Sequence, residues 1–233
     1  MAFDNKNVSL ARLSANYRLI AELLLYPEER DEHLIAEGLK GLKTAPKPLR
    51  KLIKSFIRQP ASHSAEEYVA TLELSPPCPL YMGSYLFDEP KSCRGAGMSG
   101  RNSYMMELAN IYRHFGFELN GGELSDFLPV MVEFLAISLE RQDMDQIGLR
   151  RSFIERYLLV GLDPLGEALS KYESPYGLLV EALGELLAED AAQAGDAPAW
   201  TPPVGEPECA ATCRIRLEAA FPATGEPAVE VEP

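Results

Sequence analysis

The stretch SDFLPVMVEFLAISLE, residues 125–140, constrains the fold more than any other part of the chain. From Phe127 to Leu139 it holds thirteen residues, and Glu133 is the only charged one. Apolar side chains would cover nearly all sides of a helix formed by this segment, which predicts a central, buried helix. A carboxylate inside such a helix needs a partner, because removing a charge from water without one is costly.

Helical signals recur along most of the chain. Apolar residues follow three- and four-residue spacing from Leu10 to Leu24, and Pro27 lies just past that segment. No segment of useful length alternates with period two, as strands do. Further helices are expected at about 31–43, 49–58, 64–75, 101–115, 126–141, 145–160, 163–171 and 174–192. The sequence therefore predicts an all-α protein, one compact domain of about eight or nine helices.

Three short polar patterns predict where helices begin. Asp126 is expected to cap the central helix, with Pro129 still inside its tolerant first turn. Asp163 followed by Pro164, and Ser174 followed by Pro175, are expected to open the last two helices, because proline is favoured at the first helical position.

Composition changes at two places. Residues 75–100 contain four prolines and four glycines, which predicts a long, irregular loop. Residues 195–233 are rich in proline and acidic residues, so a helical domain over 1–194 is expected to be followed by a flexible, disordered tail. Within that tail, CAATCRIRLEAAF at 209–221 is expected to form at most one or two helical turns.

Charge and targeting signals narrow the function. The net charge of -13 argues against a general nucleic-acid binder, which needs a clustered basic surface. The apolar segment at 19–26 is too short for a membrane span and lacks the features of a signal peptide, so a cytoplasmic protein is expected. Four cysteines without a C-x-x-C pair suggest reduced thiols.

Catalytic and metal-binding patterns are weak. His33, His63 and His114 are far apart, and no nucleophile or phosphate-loop motif is present. Cys209 and Cys213 are four residues apart, but no nearby histidine completes a zinc site. We therefore expect neither an enzyme nor a permanently bound metal or cofactor.

Positive charge is concentrated in one segment. Gly38 to Gln59 holds seven cations and no acidic residue, so the rest of the chain carries about -20. Lys51, Lys54 and Arg58 lie off the apolar stripe of the expected helix. They are either a solvated face or a patch for an acidic partner or a phosphate-bearing cofactor.

Glu133 leaves two alternatives open from the residues alone. It lies two turns into its helix, so capping does not explain it. It either forms an internal ion pair with an arginine such as Arg101 or Arg113, or it faces a groove that receives a cation or backbone donors from another molecule.

Three segments together resemble one known family. ELSDFLPVMVEFLA at 123–136 resembles the E-L-P-D-H-L-P-V-x-L-E-F-L-A segment of the NarJ-type chaperones, the nitrate reductase delta-subunit branch of the TorD/DmsD/NarJ superfamily. Ser125 and Phe127 replace the usual proline and histidine. YRLIAELLLYPEE at 17–29 resembles the first helix of that family, and YLFDEPKSCRGAGM with MMELANIYRHFGFEL resembles its L-F, R-G and M-x-x-L block.

The resemblance covers about residues 10–160 and implies a function. Such proteins are all-helical cytoplasmic chaperones that bind an immature molybdenum-containing catalytic subunit, often at its N-terminal segment. They support insertion of the molybdenum bis-guanine-dinucleotide cofactor before export or complex formation. The long loop is similar to chaperones of the type II dimethyl-sulfoxide-reductase group. A monomer is the default and a dimer the alternative, and the competing hypothesis is a permanent accessory subunit of a redox complex.

The resemblance also suggests a site. An apolar groove beside the central helix, walled by the loop from Tyr81 to Phe87, is expected to accept an amphipathic peptide. The residues expected to bind the partner are Asp126, Pro129, Glu133, Phe134, Tyr85, Phe87 and Arg94. Lys51, Lys54 and Arg58 are the expected patch for transient contact with the cofactor or an acidic partner.

Overall fold

The computed structural model describes residues 2–74, 76–87, 99–119, 122–141, 147–194, 200 and 217–219. The α-helices within those ranges are α1 (Ala2–Leu23), α2 (Glu32–Gly41), α3 (Lys47–Ile57), α4 (Ala65–Tyr68), α5 (Gly100–His114), α6 (Leu128–Glu140), α7 (Ile147–Phe153), α8 (Leu159–Lys171) and α9 (Gly177–Ala194). Two strands, β1 (Phe117–Leu119) and β2 (Leu217–Ala219), form an antiparallel pair. The all-α prediction is confirmed.

Helix α6 is the centre of the fold, as its composition predicts. Every residue from Leu128 to Leu139 is buried, because neighbouring helices cover all of its sides. Helix α1 packs along α6 with its own apolar stripe, in which Leu13, Tyr17 and Ile20 are fully buried. Helix α9 packs against α1, α3, α7 and α8 and closes the other side of the domain.

A buried polar cluster joins three of these helices. The Arg150 guanidinium on α7 lies 3.3 Å from the Asp190 carboxylate on α9, and both side chains are at most 3% exposed. The Tyr17 hydroxyl on α1 donates to the same carboxylate at 3.2 Å. Burial, reinforced by the Asp190 charge, raises the pKa of Tyr17 well above its usual value. The cluster therefore fixes the relative positions of α1, α7 and α9.

Two predicted helix starts are wrong. Helix α8 begins at Leu159, after a π-helical turn, and Pro164 lies inside it rather than at its first position. Burial of Leu162 and Leu165 on one side outweighs the hydrogen bond that Pro164 cannot make. Helix α9 begins at Gly177, three residues after Ser174, which belongs to the preceding turn.

The strands were not predicted, since each has only three residues. Strand β2 replaces the helical turn expected at Leu217–Ala219 and pairs with a strand about 100 residues away.

Trp200 contacts the helical domain in two ways. Its backbone N–H donates to Ser152 Oγ at 3.1 Å, and the Trp200 ring stacks on Phe115 with a distance of 5.8 Å between ring centroids. The division into a domain at 1–194 and a tail stays a prediction.

None of the helices in the described ranges is long and apolar enough to cross a membrane.

Candidate functional site

Residues 76–87, here called the latch, lie across the N-terminal end of α6. The Met82 N–H donates to the Asp126 carbonyl at 2.9 Å, and the Leu128 N–H donates to the Leu80 carbonyl at 2.8 Å. Between these bonds, Tyr81 and Phe127 form an isolated antiparallel bridge, and their rings lie 5.2 Å apart. The latch thus pairs with the start of the central helix as a short strand would.

Asp126 connects the latch to helix α5. Its fully buried carboxylate oxygen Oδ2 accepts from the Gly83 N–H at 3.0 Å and from Arg101 Nη2 at 3.1 Å. The N-cap of α6 is Phe127, and no side chain caps it, so the predicted capping role of Asp126 is wrong. A guanidinium and a backbone donor from two other segments hold this carboxylate instead, and charge-assisted bonds of that kind are strong.

Two polar atoms in the cluster of Asp126 and Arg101 do not form hydrogen bonds with the described part of the chain. Among the described residues, Asp126 Oδ1 and Arg101 Nε are buried and have no hydrogen-bond partner. Unsatisfied polar atoms in the interior cost stability, and in native proteins they are uncommon. The cluster therefore carries one acceptor and one donor that a rearrangement or a ligand could use.

Gly83 allows the latch to approach so closely. A Cβ atom at this position would lie 2.6 Å from Asp126 Oδ2 and 3.0 Å from Arg101 Nε. Phe87, at the end of the latch, packs similarly on Gly100, where a Cβ would lie 2.8 Å from the ring. Sequence reasoning missed both glycines, because the side chains that they approach belong to residues 43 and 13 positions away.

Two tyrosines of the latch form hydrogen bonds through their hydroxyl groups. The Tyr81 hydroxyl donates to Glu123 Oε1 at 3.1 Å, and burial together with the Glu123 charge raises the pKa of Tyr81 to about 12. The Tyr85 hydroxyl donates to the Pro79 carbonyl at 2.9 Å, a bond within the latch. Tyr81 therefore anchors the latch to Glu123, and Tyr85 fixes the shape of the latch itself.

The structure places the predicted partner-binding residues in two layers. Asp126, Pro129, Glu133 and Phe134 are buried in or beside α6, and the Phe134 ring lies 5.1 Å from that of Tyr112. Arg101, one of the arginines suggested as a partner for Glu133, pairs with Asp126.

Tyr85 and Phe87 form the outer layer. Both are half-buried and pack over the core, and the Phe87 ring lies 5.7 Å from that of Tyr104. Arg94 lies outside the described residues. Because the latch covers Asp126, a partner reaches that carboxylate only if the latch moves. Glu133 lies deeper in α6, where neighbouring helices enclose it.

The basic segment forms a pocket of its own. A cavity of about 370 Å³ lies between α2 and α3, and among its lining residues no carboxylate is present. Lys54 and Arg58 line it, whereas Lys51 is exposed on the same helix outside the lining. The lining residues are Leu39, Leu42, Lys43, Arg50, Lys54, Ile57 and Arg58. The structure thus adds Lys43 and Arg50 to the predicted patch, and Leu39, Leu42 and Ile57 are the apolar part of the lining.

In the described part of the chain, no group of three or more His, Cys, Asp or Glu residues is placed to hold a metal ion.

Comparison with known proteins gives a consistent result. Residues 38–163 match the family described as nitrate reductase delta subunit, and this region contains α3, the latch and α6. The chain is 28% identical over 167 residues to the probable nitrate reductase molybdenum cofactor assembly chaperone NarJ of Bacillus subtilis (strain 168). That alignment covers 69% of this chain and 82% of the relative. The match extends over more than half of the sequence, and the chain belongs to the nitrate reductase delta subunit family.

Proposed function

We propose that this protein is an assembly chaperone for a molybdenum-containing catalytic subunit. It binds the immature subunit in the cytoplasm and supports insertion of the molybdenum cofactor before export or complex formation. The observation that carries this proposal is the family match over residues 38–163, together with a relative that is named as a molybdenum cofactor assembly chaperone. The role involves no catalysis by this chain, and we propose none.

The latch and α6 are the proposed site for the N-terminal segment of the client. An amphipathic segment takes the place of the first part of the latch, residues 76–82. Its apolar residues pack on Phe134 and on Tyr85 and Phe87, which stay in place. Its Lys or Arg side chains meet Asp126 and Glu133, and Pro129 shapes the entrance. Arg94 is proposed to contact the segment from the adjoining loop.

The contacts of the latch support such an exchange. Two backbone hydrogen bonds, which together form one bridge, join it to the start of α6, and a segment of another chain can make the same bonds. In addition, the unsatisfied Asp126 Oδ1 is an acceptor that a client cation would complete. The client therefore replaces an internal segment instead of entering an empty groove.

The basic pocket is the proposed site of transient contact with the cofactor. Molybdenum bis-guanine-dinucleotide is cargo for this protein, and the pocket fits it chemically because four cations surround an apolar floor. Lys54 and Arg58 face the phosphates, and Lys51 adds to the positive field beside them.

A nucleotide titration tests this contact. Guanosine diphosphate is titrated by calorimetry against the full chain and against a Lys51→Gln, Lys54→Gln, Arg58→Gln variant. Binding of guanosine diphosphate should be lost in this variant. It should be retained in a control in which glutamine replaces Arg113, Arg151 and Lys171, which lie outside the pocket. Equal affinity in all three proteins would contradict a phosphate site at α3.

Co-purification from the native cell tests the chaperone role against the alternative of a permanent accessory subunit. The tagged chain is isolated, and the bound protein is identified by mass spectrometry and assayed for molybdenum. We expect a catalytic subunit of the nitrate reductase type without its cofactor, and one copy of this chain. Recovery of the chain in stoichiometric amount from the finished, active complex would favour the accessory subunit.

A further inference from the structure

An open groove lies between α8 and α9, and it shares no lining residue with the latch or the basic pocket. Its volume is about 830 Å³. Among its described lining residues, five are acidic and none is a lysine, arginine or histidine. The acidic residues are Asp163, Glu167, Glu173, Glu181 and Glu185, all exposed. The groove therefore presents negative charge along both of its walls.

Ser174 adds an observation that is independent of the acidic residues. This residue lines the groove and is 8% exposed, and its hydroxyl has no hydrogen-bond partner within the ranges that the structure covers. Ser174 was expected to cap α9, but the helix starts three residues later. A buried hydroxyl without a partner is unfavourable unless something outside the chain completes it.

The floor of the groove contains two glycines that the fold does not require. A Cβ at Gly166 would lie 3.6 Å from Val180, and one at Gly184 would lie 4.0 Å from Leu162, which are ordinary contact distances. Alanine would therefore fit at both positions and would favour the helices, since glycine weakens a helix interior. Without side chains at these positions, the floor of the groove is lower than alanine would leave it.

We propose that this groove binds a basic amphipathic helix of a partner polypeptide. Carboxylates spread along two helices match a row of Lys or Arg side chains, whereas a single metal ion needs ligands that converge on one point. Apolar wall residues, among them Leu162 and Leu178, receive the apolar side of the helix. A backbone or side-chain donor of the partner completes Ser174. The inference does not depend on the client site proposed at the latch.

A second copy of this chain fits the groove less well. Its only strongly basic segment lies around α3, and the apolar side of α3 already packs against α9 of its own domain. A second copy could therefore offer cations to the acidic residues of the groove, but the apolar side of its α3 is not free to pack on the apolar residues of the groove.

A pair of synthetic peptides tests the proposal. The first is a fourteen-residue amphipathic helix with arginine on one side and leucine and alanine on the other, and the second has glutamine in place of every arginine. Fluorescence anisotropy with the full chain should show binding of the arginine peptide that weakens as salt is raised. The glutamine peptide should bind at least about tenfold more weakly.

Matched variants locate the binding. Glu167→Gln with Glu181→Gln should lower the affinity for the arginine peptide about five- to tenfold at low salt. A control pair, Glu28→Gln with Glu32→Gln, removes two exposed carboxylates elsewhere and should leave the affinity unchanged. Equal losses in both pairs would show unspecific attraction to an acidic protein and would overturn the proposal.

Substitution of the glycines and the serine distinguishes binding in the groove from attraction by charge alone, because these changes leave the charge of the protein unaltered. Gly166→Ala with Gly184→Ala should raise the melting temperature by roughly 2–8 °C and weaken the peptide severalfold, because the floor rises. Ser174→Ala should weaken the peptide without lowering the melting temperature. Unchanged peptide affinity in both variants, or self-association of the chain that the Glu167 and Glu181 changes abolish, would overturn the proposal.

Discussion

Replacing Gly83 with alanine should separate the latch from α6. The new methyl group would lie 2.6 Å from Asp126 Oδ2, and this carboxylate is fully buried, so one of the two must shift. The Gly83 N–H bond to Asp126 is therefore lost and the pairing of Asp126 with Arg101 is weakened.

The structure sets the size of the expected effect. A hydrogen bond to a charged group contributes about 1.5–3 kcal/mol, and the weakened ion pair adds to this loss, so we expect a destabilisation of about 3 kcal/mol. For a domain of this size, that change corresponds to a melting temperature lower by about 6–12 °C. Urea unfolding followed by circular dichroism measures it directly.

Gly41→Ala is the matched control. Gly41 has helical backbone angles, and a Cβ there would lie 3.6 Å from Ala15, so alanine should be neutral or slightly stabilising. If Gly83→Ala unfolds at the same urea concentration as Gly41→Ala, the reasoning about the close contact at Gly83 is refuted.

The same substitution also tests the proposed exchange between latch and client. If the client segment and the latch compete for one place, weakening the latch raises the apparent affinity for the segment, by up to about a hundredfold. Calorimetry with the N-terminal peptide of the co-purified catalytic subunit measures this. A destabilised variant whose affinity for the peptide is unchanged or lower would place the client elsewhere.

Three further substitutions probe charged side chains. Arg150→Met should destabilise the fold by about 3–5 kcal/mol in urea, because it leaves the Asp190 carboxylate buried without its guanidinium; a loss below about 1 kcal/mol would contradict this. Burial tends to raise the pKa of Glu140, but hydrogen bonds from Arg18 and Ser14 lower it overall from 4.5, so its contribution to stability exists above that pH and is lost on acidification. Glu140→Gln should therefore flatten the fall in stability below about pH 4.5, and an unaltered pH profile would refute the assignment. Glu133→Gln should weaken client binding with little change in melting temperature, whereas a large loss of stability with unaltered binding would indicate a structural role.

The central helix was predictable because its signal is local. An apolar segment with one charge between Phe127 and Leu139 can be satisfied only in the interior, and the structure buries it completely. A helix was also expected from about residue 31, and in the structure Asp31 caps α2 by accepting from the His33 and Leu34 backbone N–H groups within one turn. Patterns of this kind involve residues that are close together in the sequence, so they can be recognised from one sequence alone.

The environment of Asp126 was not predictable for the opposite reason. Its partners Gly83 and Arg101 are 43 and 25 residues away, and a capping rule considers only the next few positions. The prediction that Pro164 opens a helix was wrong for a similar reason, since burial of neighbouring leucines decided where α8 begins. The strand pair and the acidic groove also join segments whose proximity is set by the fold and not by spacing.

The molybdenum content of the client tests the central claim most directly. The catalytic subunit is purified from cells that express this chain and from cells that lack it, and metal is measured per mole of subunit. We predict nearly full occupancy with the chain and a large loss without it, restored when the gene is returned. Equal occupancy in both preparations would contradict a role in cofactor insertion.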